Sequence, residues 1–370
     1  MPERPLVLFD GKCGFCRIWI DYFQALTGPR VDYAPTAEVA PKSVVIELPG
    51  GETFSGARAV MELLRYVPGF AWLHWLYWHV PLFAVLSEWA YTFVAEHRPF
   101  FDKITRIAFG RRVLPSSYIF IEWLFIRALA VIYLIAFVSF GTQVRGLVGS
   151  HGILPVHSYL QAVAQNFGAS RYWLVPTVFW VRDDDSVLVW ICIAGAALAI
   201  ILMLGFAQRL ILIFLYGLYL SLCSAGQDFM SFQWDMLLLE TGFLAIFLGR
   251  SKLIVWLMRW LLFRLLFLSG SVKLLSHDIT WRSLNALRFH YWTQPLPTPL
   301  AWYMNQLPGW FQQASTAMVF LCELLVPLLL LGPRRVRHFA GYFVIGLQVL
   351  ILLTGNYTFF NILTIALCLF

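Results

Sequence analysis

A pair of cysteines three residues apart is the first feature of the sequence that could carry chemistry. Cys13 and Cys16 directly follow the apolar segment PLVLFD, residues 5–10, and apolar residues then recur at helical spacing over residues 18–26. The pattern predicts a strand, the CxxC motif and a helix in immediate succession. Cys13 would lie at the helix N-terminus, where free N–H groups and the helix dipole stabilise a thiolate. Cys16 would lie one turn later, close enough to resolve a mixed disulfide.

The same spacing also occurs in half of a zinc site, which needs a second pair of ligands. The other cysteines are scattered through apolar runs, at Cys192, Cys223, Cys322 and Cys368. This context favours redox chemistry over zinc. We therefore expect a redox-active disulfide with Cys13 as the attacking thiolate, a thiol redox partner, and neither a bound metal nor another cofactor.

A second candidate site is the segment 269–308, which lies between two long apolar runs. Three prolines at alternate positions, Pro295, Pro297 and Pro299, disfavour a regular helix and favour an extended chain. Aromatic side chains mixed with arginines are where binding energy concentrates. The predicted binding surface comprises Trp281, Arg282, Arg288, His290, Tyr291 and Trp292. The alternative is an interfacial aromatic belt, which does not need both arginines and the histidine in one segment.

Four charged residues lie inside two successive apolar runs: Asp235, Glu240, Arg259 and Arg264. In an antiparallel hairpin centred on the turn at 249–252, each acid would lie within about one helical turn of an arginine in depth. We expect two ion pairs inside the helical bundle, with a proton path as the alternative. Glu323 has no obvious local partner and stands one turn before Pro327, so we expect it to face the interior or a cavity.

The composition determines what kind of protein must position these residues. It is 60% hydrophobic and 13% charged, with a mean hydropathy of +0.71, which is typical of a polytopic α-helical membrane protein. In such a protein the net charge of +7 comes from basic residues in the loops, which set the orientation of the chain in the membrane. We therefore do not predict nucleic-acid binding from this charge. About eight runs approach spanning length, near 117–140, 187–206, 208–226, 232–248, 253–275, 316–332, 338–354 and 356–370. The last run reaches Phe370 without a polar stop, so we expect the chain to be truncated at its C-terminus.

The first part of the chain has a different pattern. The strand and the CxxC helix are followed by a second strand at 44–48, a hairpin-type turn at Gly50–Gly51 and an amphipathic helix at 57–66. This order predicts a small α/β domain of thioredoxin type over residues 1–115, ahead of a membrane domain over 116–370. Residues 71–95 are apolar but interrupted by polar residues and a proline, which favours a helix pair on the membrane surface.

Basic residues predict the orientation. With residues 1–112 in the cytoplasm, the short inner segments carry ten basic residues: Lys103, Arg106, Arg111, Arg112, Arg209, Arg250, Lys252, Arg334, Arg335 and Arg337. The longer outer segments carry five: Arg145, Arg171, Arg182, Arg282 and Arg288. This bias agrees with the positive-inside rule. Four polar and aromatic segments then share the outer side, at 149–155, 227–234, 269–308 and 354–360.

The N-terminal motif LFDGKCGFC, with Asp10, Cys13 and Cys16, resembles the DCC family of thiol-disulfide oxidoreductases, as does FSGARAVMELLRYVPG at 54–69. The resemblance covers about residues 5–110. It implies a thioredoxin-like fold in which Asp10 belongs to the catalytic motif beside the two cysteines.

The membrane part is similar to the lipase maturation factor family. The segments that carry this resemblance are FMSFQWDMLLLETGF, LSGSVKLLSHDITWRSLNALRFHYWTQPLPTPLAWYMNQLP and LLTGNYTFFNILTIALCLF. It extends over residues 120–370 and implies a membrane protein that assists the folding or assembly of secreted lipases, located in the endoplasmic reticulum membrane in animals. The redox domain in front suggests a bacterial fusion, hence an inner-membrane location.

A weaker resemblance concerns Lys273. The segment SGSVKLLSHDITW is similar to the Lys-Leu segment of vitamin K-dependent carboxylases, which implies that Lys273 is a base acting on a quinone. The alternative is a lysine at a helix end whose ammonium reaches the interface.

Taken together, the residues and resemblances predict a membrane protein for maturation or thiol–disulfide handling of exported proteins. Its expected partners are membrane lipid, exported clients such as lipases, and a thiol redox partner. Two other classes stay open: a carboxylase-like membrane enzyme that depends on Lys273, and a binding scaffold in which the CxxC is only regulatory.

Overall fold

Residues 2–36, 43–110, 113 and 117–370 are described by the computed structural model of this chain. The chain divides into an N-terminal unit, Met1–Ser117 with Pro333–Val336, and a membrane unit, Tyr118–Gly332 with Arg337–Phe370. Arg111 and Arg112, two of the ten basic residues predicted to be cytoplasmic, lie outside the described residues.

A four-stranded sheet forms the centre of the N-terminal unit. Its strands are β1 (Leu6–Asp10), β2 (Asp32–Thr36), β3 (Val45–Glu47) and β4 (Thr53–Ser55), in the spatial order β2-β1-β3-β4. β1 pairs parallel with β2 and antiparallel with β3, and β3 pairs antiparallel with β4. The predicted hairpin and the small α/β domain are therefore present. β2 was not predicted; its Pro35 is compatible with the sheet because β2 is an edge strand.

Five helices complete the N-terminal unit: α1 (Gly14–Thr27), α2 (Gly56–Leu64), α3 (Ala71–His79), α4 (Pro81–Glu96) and α5 (Arg98–Phe109). Val7 and Ile46 of the sheet pack with Ile20 of α1 and Leu63 of α2 in its core. The run at 71–95 forms two helices, as predicted. The chain breaks before Pro81, which begins α4, because proline fits the first turn of a helix and not its interior.

Six helices of the membrane unit are long and apolar enough to cross a bilayer, among the residues that the structure describes. They are α6 (Ile119–Gly141), α10 (Asp185–Leu204), α11 (Gln208–Ala225), α13 (Lys252–Leu275), the continuous helix Gly309–Leu330 and α19 (Arg334–Thr354). Two further predicted runs form shorter helices, α12 (Gln233–Ile246) and α20 (Phe360–Leu367). With 14 residues, α12 is about 21 Å long, less than the roughly 30 Å of the hydrocarbon layer.

Shorter helices occupy the connections between these helices. They are α7 (Val144–Val148), α8 (Val156–Phe167), α9 (Arg171–Leu174), α14 (Ile279–Arg282), α15 (Ala286–Thr293) and α16 (Pro299–Asn305). The segment 294–298 between α15 and α16 has no regular structure, as its prolines predict, whereas Pro299 begins α16.

Small residues let the central helices of the membrane unit approach closely. Gly195 of α10 lies against the ring of Phe137 of α6, and Gly242 of α12 lies against the Tyr133 hydroxyl of α6. A side chain at either glycine would overlap the aromatic ring. Glycine at such contacts is a common device of membrane helix packing, where the lipid itself provides no hydrophobic drive between helices.

The helix Gly309–Leu330 contains one turn of π-helix. It consists of α17 (Gly309–Phe320), the π-turn Leu321–Leu325 and α18 (Val326–Leu330). Pro327 lacks the N–H that an α-helix would donate to the carbonyl of Glu323, and the wider turn accommodates this missing bond. Within this turn Glu323 is buried, 6% exposed. A π-turn of this kind often marks a functional position.

Candidate functional site

The two cysteines occupy the beginning of α1. Cys13 is the N-cap residue with an extended backbone, and its sulfur accepts a hydrogen bond from the Cys16 N–H at 3.3 Å. Both thiols are free and half-buried. The N-terminal position of Cys13 is the one the sequence predicts, and it directs the unpaired N–H groups of the first turn toward the Cys13 sulfur.

The two thiols differ in environment. Burial raises the pKa of the Cys16 thiol to about 12, and the hydrogen bond and charge of Cys13 act in the same direction. Arg98 opposes this rise in the pKa with a smaller effect. Cys16 is therefore held as a neutral thiol at pH 7, which leaves Cys13 as the sulfur suited to attack.

Asp10 shapes the loop that carries the cysteines. Its carboxylate accepts a hydrogen bond from the Lys12 N–H at 2.8 Å, and its carbonyl accepts one from the Cys13 N–H at 3.3 Å. The contacts support a positioning role for Asp10 at the end of β1.

An apolar cavity of about 360 Å³ lies beside Cys16 within the N-terminal unit. Aromatic side chains of α1, α4 and α5 line it, among them Trp19, Tyr91 and Phe101. Nothing in the sequence pattern indicated a cavity at this place. Its volume lies in the range typical of small-molecule sites.

Lys273 lies in a cluster of groups from two helices of the membrane unit. Its Nζ donates to Glu323 Oε2 at 2.6 Å, Glu323 Oε1 at 2.8 Å and Ser269 Oγ at 2.9 Å. The ammonium also lies 5.3 Å from the ring centre of Trp281. The partner of Glu323, which the sequence left open, is therefore Lys273, which lies 50 residues earlier in the chain.

This geometry favours a structural role for Lys273 over the base suggested by its resemblance. A base needs a free lone pair, whereas here three hydrogen bonds use all the donors of an ammonium. A paired charge in the bundle interior is the usual form in which membrane helices hold ionisable residues.

The predicted surface of segment 269–308 divides into exposed and buried residues. Arg282, Arg288 and Trp292 are exposed, and Trp292 is 73% exposed. Tyr291 is buried, which is a correction to the predicted surface. The helical conformation of 286–293 explains the difference, because adjacent residues of a helix point to different faces.

Trp281 also points inward. Its ring makes an edge contact with Phe320 at 5.7 Å, in addition to its contact with Lys273. Arg282 bonds to His277 Nδ1 at 2.8 Å. The segment therefore connects the Lys273–Glu323 pair with an exposed surface.

His290 is half-buried and stacks on Tyr357, with a hydrogen bond of 3.2 Å between its Nε2 and the Tyr357 hydroxyl. Burial lowers the pKa of His290, and the positive charge of Lys273 lowers it further. A neutral imidazole in an aromatic contact is the expected state at pH 7.

Hydrogen bonds join the four polar and aromatic segments in two pairs. Gln294 Nε2 donates to the Thr354 carbonyl at 2.7 Å, and Thr298 Oγ1 donates to the Leu353 carbonyl at 2.6 Å. Gln227 Nε2 donates to the Leu154 carbonyl at 3.0 Å. The segments 269–308 and 354–360 thus form one surface, and 149–155 packs with 227–234.

Of the two predicted charge pairs, the structure brings one together. Glu240 forms an ion pair with Arg264, but the two side chains are 46% and 43% exposed, so the pair lies at the surface of the helical bundle and not inside it as predicted. Asp235 instead accepts a hydrogen bond from the Tyr219 hydroxyl at 2.6 Å. Arg259, the other arginine of the predicted hairpin, donates to the Tyr118 hydroxyl at 2.6 Å and to the Phe370 carbonyl at 2.8 Å.

The prediction of a second ion pair, at Asp235, was wrong because of the geometry of the helix. Asp235 and Glu240 are five residues apart, which turns them about 140° from each other around the axis of α12. Two residues at the same depth in the membrane do not pair unless their side chains also point toward each other. When Glu240 faces Arg264 on α13, Asp235 must face another neighbour, which is α11.

We expect Glu240→Gln to destabilise the membrane unit because Arg264 loses its charged partner. Changing Arg264 to Gln as well should recover part of the loss, which is typical of a coupled pair. Thermal unfolding of the full chain in lipid nanodiscs would measure both effects. Glu122→Gln is a control, since Glu122 also lies in a membrane helix. Simple additivity of the two changes would exclude the coupling.

The comparisons with known proteins follow the same division of the chain. Residues 120–370 match the family model of the lipase maturation factor transmembrane domain. The chain belongs to the lipase maturation factor family. Residues 7–103 match the DCC1-like thiol-disulfide oxidoreductase model, a range that includes the CxxC motif and every cavity-lining residue except Thr105. Both resemblances predicted from the sequence are therefore confirmed.

Individual members of the lipase maturation factor family are similar to the membrane part. Lipase maturation factor 2 of Xenopus tropicalis is 43% identical over 267 residues, which is 66% of this chain and 38% of that protein. The human lipase maturation factor 2 is 41% identical over 273 residues, which is 66% of this chain and 38% of that protein. Lipase maturation factor 1 of Mus musculus is 37% identical over 261 residues, which is 65% of this chain and 45% of that protein. The match thus spans less than half the length of these relatives. No solved structure matches this chain.

Proposed function

We propose that this integral membrane protein assists the maturation of exported proteins, with lipases as the client class, and that its N-terminal unit exchanges thiols and disulfides. The observation that carries the proposal is the match of residues 120–370 to the lipase maturation factor family, whose members are named for lipase maturation. The asymmetric thiol pair at the start of α1 supports the redox part.

The proposed exchange requires only the two cysteines and a client disulfide. The Cys13 thiolate attacks one client sulfur, the client S–S bond breaks, and the other client sulfur leaves as a thiolate. Cys16 then loses its proton and attacks the Cys13 sulfur, which releases the second client thiol and forms the Cys13–Cys16 disulfide. The client gains two electrons and the CxxC loses two. A thiol redox partner returns these electrons to the CxxC, and the reverse sequence would oxidise a client.

The maturation role predicts a gain in active exported lipase. A secreted lipase with disulfides would be expressed with the full chain, with Cys13→Ser, or without the chain, and the exported activity per mole of lipase measured. We expect the full chain to raise the exported activity per mole of lipase. Cys13→Ser should raise it less, because this variant cannot exchange disulfides with the client. Cys223→Ser is the matched control, because Cys223 lies in α11 and is not part of the CxxC motif. Equal ratios with and without the chain would refute the maturation role.

We further propose that the N-terminal unit lies on the cytoplasmic side, with 276–315 outside. The support is the bias of ten basic residues to five across the two sets of segments. In this arrangement α12 also crosses the membrane, so that α13 begins on the inner side and 276–315 follow it on the outer side. In this orientation the CxxC meets clients before their export.

Labelling with a membrane-impermeant maleimide tests this orientation. Lys12 is an exposed residue of the CxxC loop, so a cysteine at this position can react with the maleimide. If the N-terminal unit is cytoplasmic, Lys12→Cys in a Cys13→Ser chain should be labelled in cells only after the membrane is opened. Ser150→Cys, exposed in the segment 149–155, should label without opening. The reverse pattern would contradict the orientation and place the CxxC beside clients already exported.

A further inference from the structure

We propose that the cavity beside Cys16 binds the hydrocarbon chain of a membrane lipid. This goes beyond the proposed maturation function and does not depend on it. The described residues of the N-terminal unit carry two independent observations for it: the lining of the cavity and the exposed apolar residues of the helix that forms one of its walls.

The lining of the cavity is suited to an apolar chain. Phe15, Trp19 and Phe23 of α1 form one side, and Val94 and Ala95 of α4 form another. Most of the residues that line this volume of about 360 Å³ are aromatic or aliphatic, with Asp10, Ser43, Arg98 and Thr105 among the polar ones. A mainly apolar lining with a few polar groups is typical of a small-molecule site. If the cavity were empty, the side chains that line it would lack van der Waals contacts on their cavity side.

The position of the cavity distinguishes its occupant from a client disulfide. Cys16 lies in the lining, whereas Cys13 does not. A client sulfur must meet Cys13 at the beginning of α1, and Cys13 lies outside the cavity lining. An occupant of the cavity would cover the resolving thiol and would leave the attacking thiol accessible.

One polar residue of the wall helix α4, Glu88, faces the protein. Glu88 accepts hydrogen bonds from the N–H groups of Ala57 at 3.2 Å and Arg58 at 3.0 Å, and from the Tyr77 hydroxyl at 2.7 Å. It thereby satisfies the first N–H groups of α2. A carboxylate used in this way is fixed on the inner face of α4.

The outer faces of α3 and α4 are apolar instead. Leu82, Val85 and Trp89 of α4 are 68%, 67% and 68% exposed, and Trp75 of α3 is 57% exposed. A helix pair in water has the opposite arrangement, with apolar residues inside. Tryptophan and aliphatic residues on an exposed helix face are typical of a helix lying in a membrane interface.

Lipid is the occupant that these observations favour. The chain has six helices able to span a bilayer, the first beginning at Ile119, so acyl chains are the most concentrated apolar groups around it. One face of α4 is suited to contact a bilayer and another lines the cavity. An apolar side chain of a client peptide has similar chemistry, and the experiment must separate the two sources.

Photo-crosslinking tests the proposal with the full chain. The chain would be placed in phosphatidylcholine nanodiscs that contain a phosphatidylcholine with a diazirine in its acyl chain, irradiated, and its peptides mapped by mass spectrometry. We expect adducts on Phe15, Trp19 and Phe23 as well as on the spanning helices. Adducts confined to the outer face of α4 and the spans would overturn the proposal, because they would show contact with the bilayer without entry into the cavity.

A cavity-filling variant provides the control. In Ala95→Trp the indole occupies the space, so adducts on α1 should fall by about tenfold while those on α6 stay unchanged. Thr92→Trp is the matched control, because it places the same side chain on the exposed side of α4. Val60→Phe fills the cavity from α2 if Ala95→Trp does not fold. Adducts on α1 that persist in both filled variants would refute the site.

A peptide competition separates lipid from client. A soluble peptide with apolar side chains and one disulfide would be added to the Cys13→Ser chain before irradiation. We expect the α1 adducts to stay constant. Their loss on addition of the peptide would assign the cavity to a client side chain and overturn the lipid assignment.

Discussion

Cys16→Ser is expected to accumulate covalent complexes between the full chain and its thiol partners, whereas Cys13→Ser should accumulate none. Without Cys16, the mixed disulfide at Cys13 has no resolving thiol. Without Cys13, the remaining Cys16 is a poor nucleophile, because its burial still raises the pKa of its thiol and so lowers the thiolate fraction at pH 7.

The measurement is a non-reducing gel of acid-quenched cells, with mass spectrometry of the trapped partners. Trapping through Cys13 should be visible in Cys16→Ser and absent in the double variant. Cys223→Ser serves as the control for a thiol outside the motif. Equal trapping by Cys13→Ser and Cys16→Ser would contradict the roles of Cys13 as the attacking thiol and Cys16 as the resolving thiol. One zinc ion per purified chain would contradict the redox function of the CxxC motif.

The second large effect is expected at the intramembrane pair. Glu323→Gln should destabilise the membrane unit by about 3–5 kcal/mol, because it leaves the Lys273 ammonium without its charged partner in a medium of low dielectric. Glu323 and Lys273 side chains are only 8% and 20% exposed, so little water is available to replace the lost bonds. Thermal unfolding in lipid nanodiscs would show the loss as a lower Tm.

Replacing both partners by apolar residues of similar size tests the origin of this effect. Lys273→Met with Glu323→Leu should recover most of the stability, since the cost arises from one unpaired charge rather than from the loss of the pair. If the double variant is as unstable as Glu323→Gln, the pair model is wrong. If it is stable but inactive in lipase maturation, Lys273 acts in function as well, and the carboxylase-like alternative regains support.

The thiol pair was predicted well because its geometry is local. Cys13 caps α1 since the chain leaves β1 at Asp10 and three residues later enters a helix with a strong apolar face. The hairpin of β3 and β4 and the break before Pro81 are determined in the same way, by residues within one turn of each other. The spanning helices follow from the length of the apolar runs, and six of the eight predicted runs reach spanning length.

Contacts between distant elements were harder to predict, because they depend on how each helix is rotated about its axis. The sequence placed Asp235 and Glu240 at the depth of two arginines, yet only Glu240 faces one. Glu323 lacked a visible partner because Lys273 lies 50 residues earlier. Its position before Pro327 was the one local signal, since the π-turn there decides which way the carboxylate points.

The sequence by itself therefore determined the class of protein, the family of its membrane part and the position of Cys13 at the start of α1, because composition, motif and helix start are properties of neighbouring residues. Only the tertiary structure decided that Tyr291 is buried, that Glu323 pairs with Lys273, and that an apolar cavity lies against Cys16. Each of these requires two or more elements to meet. The relative rotation and spacing of such elements are set by packing over the whole unit, which local patterns do not encode.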